Sequence, residues 1–300
     1  MDGYVLNKFV TISKVGQRRF LVKHGMLSRA SFVLDFEPTQ QSRVELLDRI
    51  IATKSIDSES ILQLQGDGGD ANELLELLLD ERVFVPSHSQ DFEQYYALIN
   101  ERSIGNNPLR SSCFVASSPQ IKLALTQGLA GVSLPFTIMS PEEFADSAEI
   151  PEIVVVVYDR FNSPDFHNFN RYALEHEIPL LISYLDGSTT VVSPIVIHGE
   201  TVCYNELEIQ LEASFTHRPE YQAFKALSRE SVTYPPFLLN QLTFLTLHLL
   251  TDFQLTGKLK TKNRALIFDT ESLRFDLVDV LPMPVCPACR LDHAMSHDYL

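Results

Sequence analysis

Positive charge is scarce in this chain: 24 lysines and arginines stand against 39 aspartates and glutamates, a formal net charge of −15 over 300 residues. That balance argues against a general binder of nucleic acid or of anionic membranes, and it favours a basic peptide partner. Acidity of this kind also serves plain solubility. Long apolar runs are missing as well. None reaches the roughly 20 residues needed to span a bilayer, so no membrane helix is expected. The opening Met1-Asp2-Gly3-Tyr4-Val5-Leu6-Asn7-Lys8 lacks the charged-then-apolar leader of an exported chain. Cysteines number only four. That fits a reducing, cytoplasmic setting better than a disulfide framework.

A hydrophobic share of 45% and a charged share of 21% are ordinary for a globular chain. The length suits two domains or one large one. Two of the four cysteines form a Cys-x-x-Cys, Cys286 and Cys289, close to the C-terminus. That spacing puts two thiolates on one tight turn, which is half of a tetrahedral zinc site.

The first part of the chain opens on three β-like runs, Lys8 to Ile12, Arg19 to Lys23 and Ser31 to Phe36, with Gly16 and Gly25 between them. Helical spacing follows at Val44, Leu47, Ile50 and Ile51. Asp57 caps an expected helix Ser58 to Gln65, and Asp70 caps another over Ala71 to Glu81. Val83 to Pro86 closes the module as a strand. Strands, helix–turn–helix and a final strand make a winged-helix pattern, expected over residues 1–88. DNA is the common partner of such a module. Here the third helix, Ala71-Asn72-Glu73-Leu74-Leu75-Glu76-Leu77-Leu78-Leu79-Asp80-Glu81, has no arginine or lysine and carries four carboxylates. Phosphate would repel it. The module instead suits an extended peptide, added as a strand to the sheet edge with its side chains against the helix. Phe32 and Leu34 on the third strand and Leu75 and Leu79 on the third helix would form that clamp. The plainer reading is that all four are core.

Residues 89–110 read as a polar linker ending in Gly105-Asn106-Asn107-Pro108. Beyond it, over 111–300, strands and helices alternate. Ser112 to Ala116, Phe136 to Met139, Ile153 to Tyr158 and Pro179 to Tyr184 read as strands, with helices at Pro119 to Leu129, Glu142 to Ala145 and Asp165 to Glu177. This is the pattern of an α/β doubly wound sheet. Such a sheet holds nucleotides where a glycine-rich loop follows its first strand. Here that place reads Ser117-Ser118-Pro119-Gln120, with no glycine and a proline that lacks an N–H. No acidic residue for a ribose follows Met139-Ser140. The nucleotide site reads as degenerate.

Asp159, Asn170-Arg171-Tyr172, Ile178-Pro179-Leu180-Leu181 and the run Val192 to Tyr204 follow in order, and Arg264 to Phe268, Arg274 to Val280 and the final Cys-x-x-Cys complete the series. This order resembles the ubiquitin-activating-enzyme-like (ThiF-like) fold. The layout is similar to its McbB-type or "C-protein" branch, the partners of YcaO cyclodehydratases that form azoline rings in ribosomal peptide natural products. That resemblance implies an N-terminal winged-helix peptide-recognition module, a ThiF-like domain without a working ATP site, and no catalytic residue on this chain. It implies an accessory subunit of a heterocyclase that binds a precursor leader peptide and presents core Cys, Ser or Thr to the YcaO enzyme, in bacteriocin- or microcin-like biosynthesis. A flavin dehydrogenase as a further partner and a homodimer are also implied. The alternative within the same fold is an adenylating enzyme that activates a peptide or protein C-terminal carboxylate, and a third reading is an acidic winged-helix regulator.

The resemblance further implies a zinc site built from two Cys-x-x-Cys pairs. The first pair reads Cys203-Tyr204-Asn205-Glu206 here. Cys203, Glu206, Cys286 and Cys289 then form a structural set of three thiolates and one carboxylate. His293 or His297 would supply a nitrogen instead, or the site is left empty. Cys113, in an apolar strand, reads as a small buried hydrophobe. His167 and His176 fall on opposite sides of one helix and so do not pair. His248 lies on Phe237 to Phe253, apolar nearly all round, which reads as core or dimer interface.

Overall fold

A computed structural model describes residues 3–25, 31–56, 70–99, 109–214, 218–225 and 233–289. The chain divides into two compact units, Met1–Asn106 and Asn107–Leu300.

In the first unit, strands β1 (Tyr4–Leu6), β2 (Thr11–Lys14), β3 (Arg19–Lys23), β4 (Ser31–Asp35), β5 (Ser55–Ile56) and β6 (Phe84–Pro86) form two small sheets. Their orders are β5-β1-β6 and β2-β3-β4, both antiparallel. The alternation of β3 sends Phe20 and Val22 into the core, where both are fully buried. Helix α1 (Gln41–Thr53) adds Val44, Leu46, Leu47 and Ile50, and ends where Lys54 turns left-handed (φ 56°) and donates its N–H to Ile50 O at 2.7 Å. Helix α2 (Asp70–Asp80) adds Leu74, Leu75 and Leu78 to the same core. Each fully buried leucine or phenylalanine there contributes about 1.5–3 kcal/mol. The helix expected at Ser58 to Gln65 lies outside the described residues.

The stretch expected to be a polar linker carries helix α3 (Asp91–Ile99). Its Gln94 is polar but buried, because it satisfies backbone. Asn7 Nδ2 donates to Gln94 O at 2.9 Å and Lys8 N–H donates to Gln94 Oε1 at 3.1 Å. Polarity in the sequence concealed a packing role.

The second unit is a seven-stranded mixed sheet. Its strands are β7 (Ser112–Ala116), β8 (Phe136–Met139), β9 (Ile153–Tyr158), β10 (Leu180–Asp186), β11 (Thr189–Val192), β12 (Arg264–Asp269) and β13 (Arg274–Asp279). The order is β13-β12-β11-β10-β9-β7-β8. The four strands β8, β7, β9 and β10 run parallel, and the last three pair antiparallel. All six residues of β9 are buried, as its unbroken β-branched run requires at the centre of a parallel sheet. The helices are α4 (Pro119–Leu129), α5 (Pro141–Ala145), α6 (Ser163–Glu175), α7 (Tyr204–Ser214), α8 (Arg218–Lys225) and α9 (Pro236–Thr256).

The crossover helices start by one device. Ser118 caps α4 and Ser140 caps α5, each with proline at the next position, and Ser140 forms a full capping box with Glu143. Asn162 caps α6 by accepting from Asp165 N–H at 3.3 Å. A short polar side chain takes an orphan N–H while proline supplies a preset φ. Helix α9 buries 13 of its residues, so most of it is core, although Phe237 and Phe244 are exposed. It packs on α4 at close range: a Cβ at Gly128 would come within 2.7 Å of Leu247 Cδ1. Among the described residues no helix is long and apolar enough to cross a membrane.

Candidate metal centre

After β11 the backbone turns tightly. Thr201 closes that turn: its Oγ1 accepts from Ile197 N–H at 2.7 Å and donates to Ile195 O at 2.9 Å. Val202 N–H is held by Asn263 Oδ1 at 2.9 Å, and Tyr204 N–H by Asn170 Oδ1 at 3.0 Å. Cys203 therefore sits at the N-cap of α7, and Glu206 lies one turn in. The Cys203 N–H donates to Glu206 Oε2 at 2.8 Å, which is one arm of a capping box. A glutamate at this position thus has a local reason that a cysteine would not have.

The C-terminal pair reaches the same place after β13. The Gln210 amide clamps Leu281, accepting from its N–H at 2.9 Å and donating to its carbonyl at 2.7 Å. Met283 N–H donates to Glu206 Oε1 at 2.7 Å. Cys286 and Cys289 then complete a buried set in which the ligand atoms of Cys203, Glu206, Cys286 and Cys289 all lie within 4.8 Å of one another.

These donors fit a tetrahedral ion. Zn–S near 2.3 Å and Zn–O near 2.1 Å place neighbouring ligands of a tetrahedron about 3.8 Å (S to S) and about 3.6 Å (S to O) apart. Cys203 Sγ and Cys286 Sγ are 3.7 Å apart, and Cys289 Sγ lies 3.6 Å from Glu206 Oε2. Asn205 Nδ2 donates to Cys286 Sγ at 3.3 Å, the kind of outer contact that steadies a thiolate. A hydrogen bond from Cys289 holds the Cys203 thiol well below its ordinary value, at about 7, against the opposing effect of burial. Cys289 is pushed up by that same hydrogen bond and by burial. Glu206 is fully buried, yet no cationic side chain among the described residues pairs with it. Two backbone N–H groups are its main support. A buried carboxylate without a counter-charge is expensive, and a metal ion would remove that expense.

A second polar cluster was not foreseen from sequence. Glu208, two residues on in α7, is 2% exposed. Ser163 donates to its Oε1 at 2.7 Å, Lys225 forms a close ion pair with it, and His167 Nε2 lies 3.2 Å from Oε2, off the line of a hydrogen bond. Burial raises its pKa, but His167, Lys225 and Ser163 together outweigh burial and hold it at about 2. The only sequence signal is a run of glutamates on one helix, whose partners lie far away in the chain.

In a doubly wound sheet the nucleotide crevice lies at the carboxyl ends of the strands where the order switches, here β7 and β9. Ser117 and Asp159 meet there. The Ser117 hydroxyl donates to Asp159 Oδ1 at 3.1 Å and accepts from Asp159 N–H at 3.0 Å. Asp159 is therefore engaged by its neighbour across the crevice.

The four residues of the expected clamp all belong to the core of the first unit. Leu34 and Leu75 are buried in it; Phe32 and Leu79 are partly buried and pack against it. Among the described residues, strand β4 is an edge strand that pairs with β3 alone. Cys113 is buried in β7, and burial raises its pKa. His248 stacks on Phe244 at 6.0 Å. His293 and His297 lie outside the described residues.

No family model matches the chain, and no curated protein is similar to it in sequence. Solved structures share its fold. The heterocyclase TruD superposes with a TM-score of 0.71 at 14% identity, over 96% of this chain and 43% of that one. A heterocyclase in complex with substrate and cofactor gives 0.70 at 15% identity, over 99% and 41%. MccB of E. coli gives 0.57 at 12% identity, over 96% of both chains. The chain thus spans about two-fifths of the heterocyclases it resembles. The mixed α/β body with its seven-stranded sheet shares the fold of these structures.

Proposed function

We propose that this chain is an accessory subunit of an azoline-forming heterocyclase. The first unit, a winged-helix-like module, takes up a precursor leader peptide, and the ThiF-like body docks a YcaO-type cyclodehydratase. The observation that carries this reading is the superposition of nearly the whole chain on heterocyclases of which it matches only part. On this reading ATP-driven ring formation belongs to the partner enzyme, a flavin dehydrogenase acts where oxidation follows, and the subunit works as a homodimer. The subunit contributes proximity: holding the leader raises the local concentration of core Cys, Ser and Thr side chains at the partner's active site. The leader adds as a strand to the edge of β4 that no described strand pairs with, with side chains between Phe32 and Leu34 and the α2 residues Leu75 and Leu79. Zinc at Cys203, Glu206, Cys286 and Cys289 is structural; it ties the segment after β13 to α7 and supplies no chemistry to the substrate.

The test is binding of the precursor peptide to the full chain. Phe32→Ala and Leu79→Ala alter side chains that are only partly buried. Each is expected to weaken leader binding at least ten-fold with little change in melting temperature. Unchanged binding in both variants overturns the clamp. Co-purification with a YcaO-type enzyme tests the other half.

One observation favours a second reading, direct adenylation of a carboxylate. MccB matches over 96% of this chain and 96–99% of its own, and it has been solved with AMPCPP and MccA. Against it stand the Ser117-Ser118-Pro119-Gln120 turn, which offers no glycine, and the Ser117–Asp159 pair. Tight ATP binding by this chain alone would reverse the ranking.

A further inference from the structure

The sheet has a thin cover over its outer strands β7 and β8. Helix α5, which contacts both, is only five residues long. It closes on the sheet with Phe144, whose ring meets Tyr172 of α6 edge-on at 5.1 Å. The segment that leads on to β9, Asp146 to Glu152, carries one large apolar side chain, Ile150, and that one is 55% exposed. A cavity of about 230 Å³ is left between this segment and the sheet. Ser111 and Cys113, at the amino end of β7, line it. It is therefore separate from the crevice of Ser117 and Asp159 at the carboxyl ends of the strands.

Its lining is divided. Cys113, Met139 and Phe144 make an apolar floor. The formal charge in the lining is all of one sign: Glu149 and Glu152 are present, and no lysine, arginine or histidine is. Glu152 is held at the mouth, where its Oε2 accepts from Ser111 N–H at 2.6 Å. Glu149 is exposed and has no ion pair among the described residues. Its charge reaches the floor, because the Cys113 thiol, raised chiefly by burial, is raised further by Glu149. The volume is below the roughly 300–1,000 Å³ of a drug-sized site, so it suits one side chain or a small fragment.

We propose that this cavity binds a primary ammonium group on an unbranched aliphatic stem, the chemistry shared by a lysine side chain and a free alkylamine. The stem lies on Cys113, Met139 and Phe144, where two polarizable sulfurs adapt to its shape. The ammonium stays at the mouth beside Glu149 and Glu152. It donates three hydrogen bonds and accepts none, which matches two carboxylates. An anionic ligand would meet like charge there. A divalent ion would keep its waters and make no use of the floor. The cavity lies in the second unit and does not depend on the leader-binding reading.

The test uses the full chain labelled with methyl-13C methionine. Of the five methionines only Met139 lines the cavity, and Met139→Leu assigns its signal. The probes are Nα-acetyl-lysine N-methylamide, its norleucine counterpart, which keeps the stem and lacks the amine, n-pentylamine and pentanoate. The lysine derivative is expected to move the Met139 methyl saturably and to bind at least five-fold tighter than the norleucine one, and pentylamine likewise against pentanoate. Glu149→Gln and Glu152→Gln are each expected to weaken the lysine derivative at least three-fold. Glu175→Gln, at an exposed acid elsewhere on the body, is expected to leave it unchanged. A Met139 methyl that neither amine moves, equal affinity for each amine and its counterpart, or equal loss in Glu149→Gln and Glu175→Gln each overturns the proposal. Binding of pentylamine without the lysine derivative would assign the site to a free amine, and the reverse to a peptide side chain.

Discussion

Glu206 and Glu208 stand two residues apart on α7, both buried, and they are balanced in different ways. Two residues turn a helix by about 200°, so the side chains point to opposite sides. Glu208 meets Lys225, His167 and Ser163. Glu206 meets two backbone N–H groups and three thiols. The first has its counter-charge within the protein, in Lys225. The second is a donor set whose charge calls for a cation. Burial alone marks neither as functional; the identity of the counter-charge does.

The largest effect that would break this contrast is loss of the thiol pair. Cys286→Ser with Cys289→Ser is expected to abolish zinc binding and free the segment after β13 from α7. That amounts to about 4 kcal/mol, a fall in Tm of about 10 °C in zinc-replete buffer. A melt equal to that of the parent chain contradicts it.

Next comes Glu208. Its Gln variant removes the closer of the two carboxylates that pair with Lys225, leaving Glu212 at 3.5 Å, and is expected to cost about 2–3 kcal/mol at pH 7. The sign follows from the depressed pKa of about 2. The stabilisation is complete above the unfolded value, near 4.3, and is lost as the pH falls toward 2. The gap between parent and Glu208→Gln in urea melts should therefore narrow between about pH 4.5 and pH 3. A constant gap would show that the carboxylate charge is not what stabilises.

Much of the body was legible. Ser112–Ala116 and Ile153–Tyr158 are marked by unbroken apolar runs, and α4 by the Ser118-Pro119 start. Of the four residues of the candidate metal site, Cys286 and Cys289 are legible because a Cys-x-x-Cys is local, whereas their convergence with Cys203 and Glu206 was only what the family resemblance implied. Other features left no local trace. β1 and β5 are three and two residues long, too short for alternation to register. Helix α3 was read as linker because its buried Gln94 looks like surface. The Glu208 cluster gathers residues 163, 167, 208 and 225 from three helices, and no spacing in the sequence reports that.

A finer test separates ligand from cap at Glu206. Glu206→Gln keeps the shape but removes the charge, and its single amide oxygen can accept from Cys203 N–H or from Met283 N–H, not from both. It is expected to weaken zinc binding by about 10–100-fold, as read by competition with a chromophoric chelator. Glu206→Cys should restore tight binding while losing the capping arm. Equal affinity in all three would remove Glu206 from the ligand set. The smallest effect is at Ser118, whose Oγ caps α4 from 3.4 Å. Ser118→Ala should lower stability by about 0.5–1 kcal/mol and leave zinc content unchanged.

Metal analysis of the full chain, purified without added chelator, bears most directly on the difference between the two glutamates. One zinc per chain in the parent and in Glu208→Gln, with the metal in Glu206→Gln given up more readily to a competing chelator, is the expected result. A folded, metal-free chain whose melting temperature does not move on adding zinc would contradict it.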